Sequence, residues 1–259
     1  MKHPAIVKPT SPARRPWAAA TITALIIAFA VVPVIASGGT IFSQFTDMLD
    51  ENIPLAGQGQ WVTRTTDEIS PAVAQFLNRR AIVPPDSDPA ASSSAQLQLE
   101  PASTWHAGQS FTLEFDAAIS STSAEQWAVV GLGSNYGGIP AHVGVRGGRI
   151  VLRQRHFGDT FFGHDAAGGM IQLPWDQWAR IRATFTRESE NQAPTVSISL
   201  AKDSQGLDFQ PVYFPKDGAM VESLPIADDA DAGVFGHINL FWLRVQGDTA
   251  IGDIRLTNE

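Results

Sequence analysis

The sequence predicts an all-β domain, a two-sheet antiparallel sandwich, behind one N-terminal transmembrane helix and a short linker helix. Three observations predict it. Beyond residue 95, apolar and polar residues alternate in short segments separated by Gly, Asn, Asp and Pro turns. The same region shows no long helical period and no internal repeat. Residues 17–36 form an uncharged apolar run behind a basic flank.

Composition narrows the function classes. The chain has 259 residues, is 44% hydrophobic and contains no cysteine, so neither disulfides nor thiol chemistry are available to it. Lys2, Lys8, Arg14 and Arg15 are four of its 18 basic residues, and residues 1–15 hold no acid. That leaves 14 basic against 26 acidic residues in the rest of the chain. An acidic body argues against nucleic acid as a partner, because the phosphate backbone demands a positive field.

Residues 1–15 read as a basic cytoplasmic tail and 16–37 as the transmembrane helix. Its apolar part, Trp17 to Ala36, would span about 30 Å, the thickness of a hydrocarbon core. Signal-peptide apolar regions are shorter, which favours an anchor. Val34-Ile35-Ala36 offers a small-residue cleavage site, so removal of the segment stays open. If it is retained, the positive flank places the N-terminus in the cytoplasm of an inner membrane and the main domain on the exoplasmic, periplasmic side. Ala20, Ala24 and Ala28 form a small-residue stripe suited to close helix packing with other membrane-protein subunits.

Residues 38–94 read as a linker. Within it Ser70 and Pro71 suit a helix start, and Val73, Phe76 and Leu77 fall on one helical face, predicting a short helix near 70–79. Pro84 to Ser94 is rich in Pro, Ser and Ala.

From residue 95 to 259 the strands follow in order. Leu97 and Leu99 alternate with Gln96 and Gln98, and Phe111, Leu113 and Phe115 alternate with Thr112, Glu114 and Asp116. Trp127 to Leu132 is an apolar run; Val143 and Val145 lead to a turn at Gly147-Gly148, with Ile150 and Leu152 beyond it. Trp178, Ile181, Ala183 and Phe185, then Val196, Ile198 and Leu200, and finally Ile238–Val245 and Ile251–Leu256 complete the set. The stretches "FTLEFDAAI", "GGRIVLRQRH", "WDQWARIRATFTRESENQAPTVSISLAKD" and "GHINLFWLRVQGDTAIGDIRLTNE" resemble, in this order, the strands of the concanavalin A-like/laminin G-like jelly roll. The resemblance implies that fold, whose members include lectins, glycoside hydrolases and adhesion modules, often with calcium.

The residues must choose among these. The hydrolase branch carries Glu-x-Asp-x-x-Glu on one strand. Glu114 and Asp116 match its first two carboxylates, but Ala118 and Ile119 follow, so the third is missing. No catalytic residue is therefore expected. Asp228, Asp229 and Asp231 lack the ligand spacing of a calcium loop and read as a solvated loop. No cofactor is expected, with calcium as the alternative. His156, His164, Asp159 and Asp165 match no standard zinc spacing. His156, Phe157, Phe161, Phe162 and His164 lie in a Gly-rich segment and form the candidate interaction loop for protein or sugar. Trp175 and Trp242 are further surface candidates.

The expected function is a non-catalytic, single-pass accessory subunit. It contacts the lipid bilayer through residues 17–36, and its sandwich caps a larger membrane complex, photosynthetic, respiratory or transport. The alternative is a lectin-like carbohydrate-binding module, secreted or anchored. A glycoside hydrolase is the third reading.

Overall fold

The computed structural model describes residues 39–258 apart from 64–66, 87–89, 121–125, 135–137, 155–159, 204–207 and 227–236. The expected tail and transmembrane helix, with Ala20, Ala24 and Ala28, lie outside the described residues, as do His156, Phe157, Asp159 and the acidic string at Asp228, Asp229 and Asp231. Among the described residues no helix is long and apolar enough to cross a membrane.

The described residues form eighteen strands and one 3-10 turn, Thr46–Met48. The strands are β1 (Thr40–Gln44), β2 (Trp61–Val62), β3 (Ala72–Phe76), β4 (Arg79–Val83), β5 (Ser93–Thr104), β6 (Gln109–Ile119), β7 (Trp127–Ser134), β8 (Gly138–Arg146) and β9 (Arg149–Gln154). They continue with β10 (Thr160–Phe162), β11 (Gln177–Arg187), β12 (Thr195–Ala201), β13 (Gln210–Val212), β14 (Phe214–Lys216), β15 (Ala219–Val221), β16 (Ser223–Pro225), β17 (His237–Gln246) and β18 (Thr249–Asn258).

Two large antiparallel sheets result, with β14 and β15 paired as a separate two-stranded ribbon. One has seven strands, ordered β10-β9-β8-β7-β17-β5-β2. The other has nine: β13-β12-β11-β6-β18-β4-β3, with β1 also beside β18 and β16 beside β12. The chain passes repeatedly from one sheet to the other, as at β5 to β6, β6 to β7 and β17 to β18, which is the winding of a jelly-roll sandwich. The all-β two-sheet architecture expected from the alternating pattern is present.

The period of two explains the core. Phe111, Leu113 and Phe115 point inward from β6, and Phe241, Leu243 and Val245 point inward from β17. Their alternates face out. At about 1.5–3 kcal/mol for each large apolar side chain fully buried, this interior needs no disulfide. The Gly147-Gly148 turn, with φ of 53° and 79°, closes the β8–β9 hairpin at the predicted place.

Two expectations are corrected. The short helix near 70–79 is instead the β3–β4 hairpin, turned by Leu77 and Asn78 at φ of 47° and 61°. Val73 is fully buried, while its neighbours Ala72 and Ala74 pack on the opposite face. The spacing that suggested a helical face is thus a two-residue alternation. Pairing of Ile82 with Ile251 in β18 overrides the helix preference of the alanines.

The second correction concerns the linker. Within residues 40–94, strands β1, β2, β3 and β4 belong to the two sheets of the sandwich. β1 pairs with β18 through Phe42 and Leu256, and β2 pairs with β5 through Trp61 and Leu97. The buried Trp61 ring meets Phe42 and Phe241 edge-on, at centroid distances of 6.2 and 5.8 Å. The segment carries apolar anchors too widely spaced to announce a strand, so only contact with the sheets reveals them.

Candidate functional site

The outer face of the nine-stranded sheet holds the two carboxylates that suggested hydrolysis. Asp116 on β6 is completely buried. Its oxygens accept hydrogen bonds from Arg79 Nη2 at 2.9 Å and Arg180 Nε at 2.8 Å. Glu114 accepts from Arg182 Nε at 2.6 Å, and the Arg182 guanidinium also covers the Phe209 ring. Hydrogen bonding to Asp116 raises the Arg180 pKa further above its ordinary value. Each carboxylate is therefore engaged by cations. Such groups fasten β6 to β4 and β11.

The outer face of the seven-stranded sheet is different. Its register sets side chains from distant strands into rows across the sheet. One row runs Thr160, Arg153, His142, Gly131, Trp242, Gln96. The next runs Phe162, Val151, Gly144, Val129, Arg244, Ser94. A third runs Arg149, Arg146, Trp127, Gln246. The middle row has a floor of small side chains, with bulky rings and guanidinium groups on both sides.

Those rings interlock for a steric reason. His142 and Trp242 sit two strands apart, about 10 Å by strand spacing, with only Gly131 between them. With no side chain in the way, the rings lean over that glycine and stack at 4.6 Å and 28°. Arg146 lies over the Trp127 ring at 4.4 Å and Arg244 at 5.1 Å, so two guanidinium groups share one indole. Arg149 lies 5.5 Å from the Phe162 ring centroid. Trp127, Val129 and Val151 form a small buried cluster of their own, separate from the main core, with Phe162 and Trp242 half-buried against it.

The candidate loop residues fall at the edge of this face. Phe161 and Phe162 stand on the edge strand β10, Phe161 toward the main core and Phe162 on the outer face. His164 follows; its Nδ1 donates to the Phe162 carbonyl at 2.8 Å, and its backbone bridges to Met170 and Tyr213. Asp165 Oδ1 accepts from the backbone N–H groups of Ala167 and Gly169, holding the next turn. Beyond it lies a cavity of about 540 Å³, lined by Asp165, Met170, Gln172, Lys202, Gln210 and Tyr213 among others. A hydrogen bond to the Glu222 carboxylate holds the Tyr213 phenol above its usual pKa. Trp175 is exposed on the turn before β11. Among the described residues no three His, Asp or Glu side chains are grouped to hold a metal ion.

Of the sequence candidates, the structure thus brings Phe162 and Trp242 onto one face and leaves Trp175 apart. Trp127, His142, Arg146, Arg149, Arg153 and Arg244 were not singled out. Their signal was present as the positions out of phase with Val143, Val145, Ile150 and Leu152, but on a strand an outward residue carries no mark of its cross-sheet neighbours.

No family model matches the chain, and no curated protein matches it. Among solved structures it is similar to the T. cruzi calreticulin globular domain, with 10% identity and a TM-score of 0.49, over 85% of this chain and 88% of that one. It is similar to an endo-1,3-beta-glucanase from Streptomyces sioyaensis, with 10% identity and a TM-score of 0.44, over 86% of this chain and 97% of that one. It is also similar to lectin UEA-II complexed with galactose, with 14% identity and a TM-score of 0.41, over 85% of this chain and 100% of that one. The sandwich assignment itself rests on the strand order and register described above.

Proposed function

We propose that this domain binds carbohydrate, without hydrolysing it, on the outer face of the seven-stranded sheet. The observation that carries the reading is the stacked His142–Trp242 pair beside Trp127 and Phe162. Aromatic rings on a rigid sheet offer flat apolar surfaces, and the C–H faces of sugar rings pack on such surfaces. Gln96 and the arginines around it supply hydrogen-bond donors for hydroxyl groups. A binding role is favoured over hydrolysis because the strands of this sheet carry a single acid, Glu100 on β5, and not a pair, while Glu114 and Asp116 are held in ion pairs on the other sheet. No cofactor enters this reading.

The test is a glycan array probed with the full-length protein, with and without calcium, followed by titration of retained glycans. Trp242→Ala should weaken binding about tenfold or more. An array on which nothing is retained overturns the proposal.

A second reading is favoured by one sequence observation, the uncharged run from Trp17 to Ala36 behind a basic flank. In it the chain is a non-catalytic subunit anchored in the cytoplasmic membrane, its sandwich bracing a larger complex from the exoplasmic side. Co-purification from native membranes, with the N-terminus read by mass spectrometry, tests it; a lone, processed chain refutes it.

A further inference from the structure

We infer that the glycan taken by the seven-stranded face is acidic, carrying carboxylate or sulfate groups; this rests on the carbohydrate-binding reading above. The face concentrates positive charge on an otherwise acidic chain. Arg146, Arg149, Arg153 and Arg244 all belong to its strands, and the one acid in those strands is Glu100 on β5, across β17 and β7 from the three arginines of β8 and β9. On the opposite sheet the guanidinium groups of Arg79, Arg180 and Arg182 each have a carboxylate partner. Among the described residues Arg146, Arg149 and Arg153 have none; two of the three are held instead by stacking on rings.

Register makes this arrangement costly without an anion. Arg146 and Arg149 are directly opposed on β8 and β9. Like charges in opposed positions destabilise a sheet. An anion between them reverses that sign. Stacking also leaves the right chemistry exposed. A guanidinium held over a ring by its charge can still present N–H groups to a planar anion. A neutral hydroxyl accepts one such bond, whereas a carboxylate or sulfate accepts two and brings charge. Arg149 and Arg153 stand four residues apart on β9, about 13 Å, with the floor at Val151 and Gly144 between the rows they occupy. One strand thus offers two anion contacts along a chain lying beside the Trp242 and Trp127 rings. That combination of separated charges and flat rings fits an acidic polysaccharide better than an acidic peptide.

The test titrates the full-length protein with polygalacturonate, alginate and heparin, and in parallel with methyl-esterified polygalacturonate and dextran. At least one acidic polymer should bind tenfold or more tighter than both neutral ones, and its affinity should fall as salt rises. Arg149→Gln and Arg153→Gln should each weaken the acidic polymer by roughly tenfold, a larger loss than either causes for a neutral glycan. If acidic and neutral polymers bind equally, or only neutral glycans bind, the acidic preference is wrong and the carbohydrate reading stands. If neither the polymers nor the array retains the protein, both fall. Poly-L-glutamate binding as tightly as the best acidic glycan would overturn the glycan assignment in favour of an acidic protein segment.

Discussion

Trp61→Ala tests whether the segment before residue 95 belongs to the sandwich. The Trp61 side chain is 1% exposed and lies against Phe42 and Phe241, and its Nε1 donates to Gln44 Oε1 at 3.2 Å. Truncating a buried Trp removes its transfer free energy and leaves a cavity, together about 3–5 kcal/mol. The two edge-on ring contacts, worth about 0.5–1.5 kcal/mol each, place this site in the upper part of that range, near 4 kcal/mol. For a domain of this size each kcal/mol moves the melting temperature by about 2–4 °C, so the expected drop is roughly 8–16 °C. Circular dichroism melts, with urea titration for the free energy, measure it. Trp175→Ala is the control, since that side chain is 46% exposed and should change stability by no more than about 0.5 kcal/mol. A Trp61→Ala loss as small as the control's would refute the reasoning: β2 would then be an attachment to the sandwich and not a part of it.

Asp116→Ala should cost about 3 kcal/mol by urea unfolding, the low end for breaking a buried pair, because its partners Arg79 and Arg180 are 30% exposed and regain some hydration. Gly144→Ala should cost about 3 kcal/mol, because a Cβ there would lie 2.1 Å from the Ala128 carbonyl oxygen and 2.7 Å from Val129 Cα, backbone atoms that cannot turn aside. Hydrogen bonds from Gln75 and then Arg80 hold the Glu51 carboxyl below its usual range. A depressed folded value means the contribution is present above the unfolded pKa and is lost as pH falls through the folded one. Acid unfolding curves of Glu51→Gln should therefore lack that portion of the decline below pH 4.5; curves superimposable on the parent would count against it.

What the sequence by itself determined is the local code. Alternation at Phe111–Phe115, Val143–Leu152 and Val196–Leu200, with Gly147-Gly148 as a turn, specifies strands, because a strand's neighbours along the chain alone decide its period. It also determined that Glu114 and Asp116 share one face of β6 and lack a third carboxylate. What only the tertiary structure decided is everything that depends on register between distant segments. Ala72–Val83 became a hairpin through contact with β18, about 170 residues later in the chain. Asp116 found Arg79 and Arg180, 37 and 64 residues away. The rows of arginine and aromatic side chains draw on strands from Trp127 to Gln246. A period of two says that residues alternate between faces; which strands lie side by side, and at what offset, is fixed by core packing, and that choice assembles the face of rings and arginines.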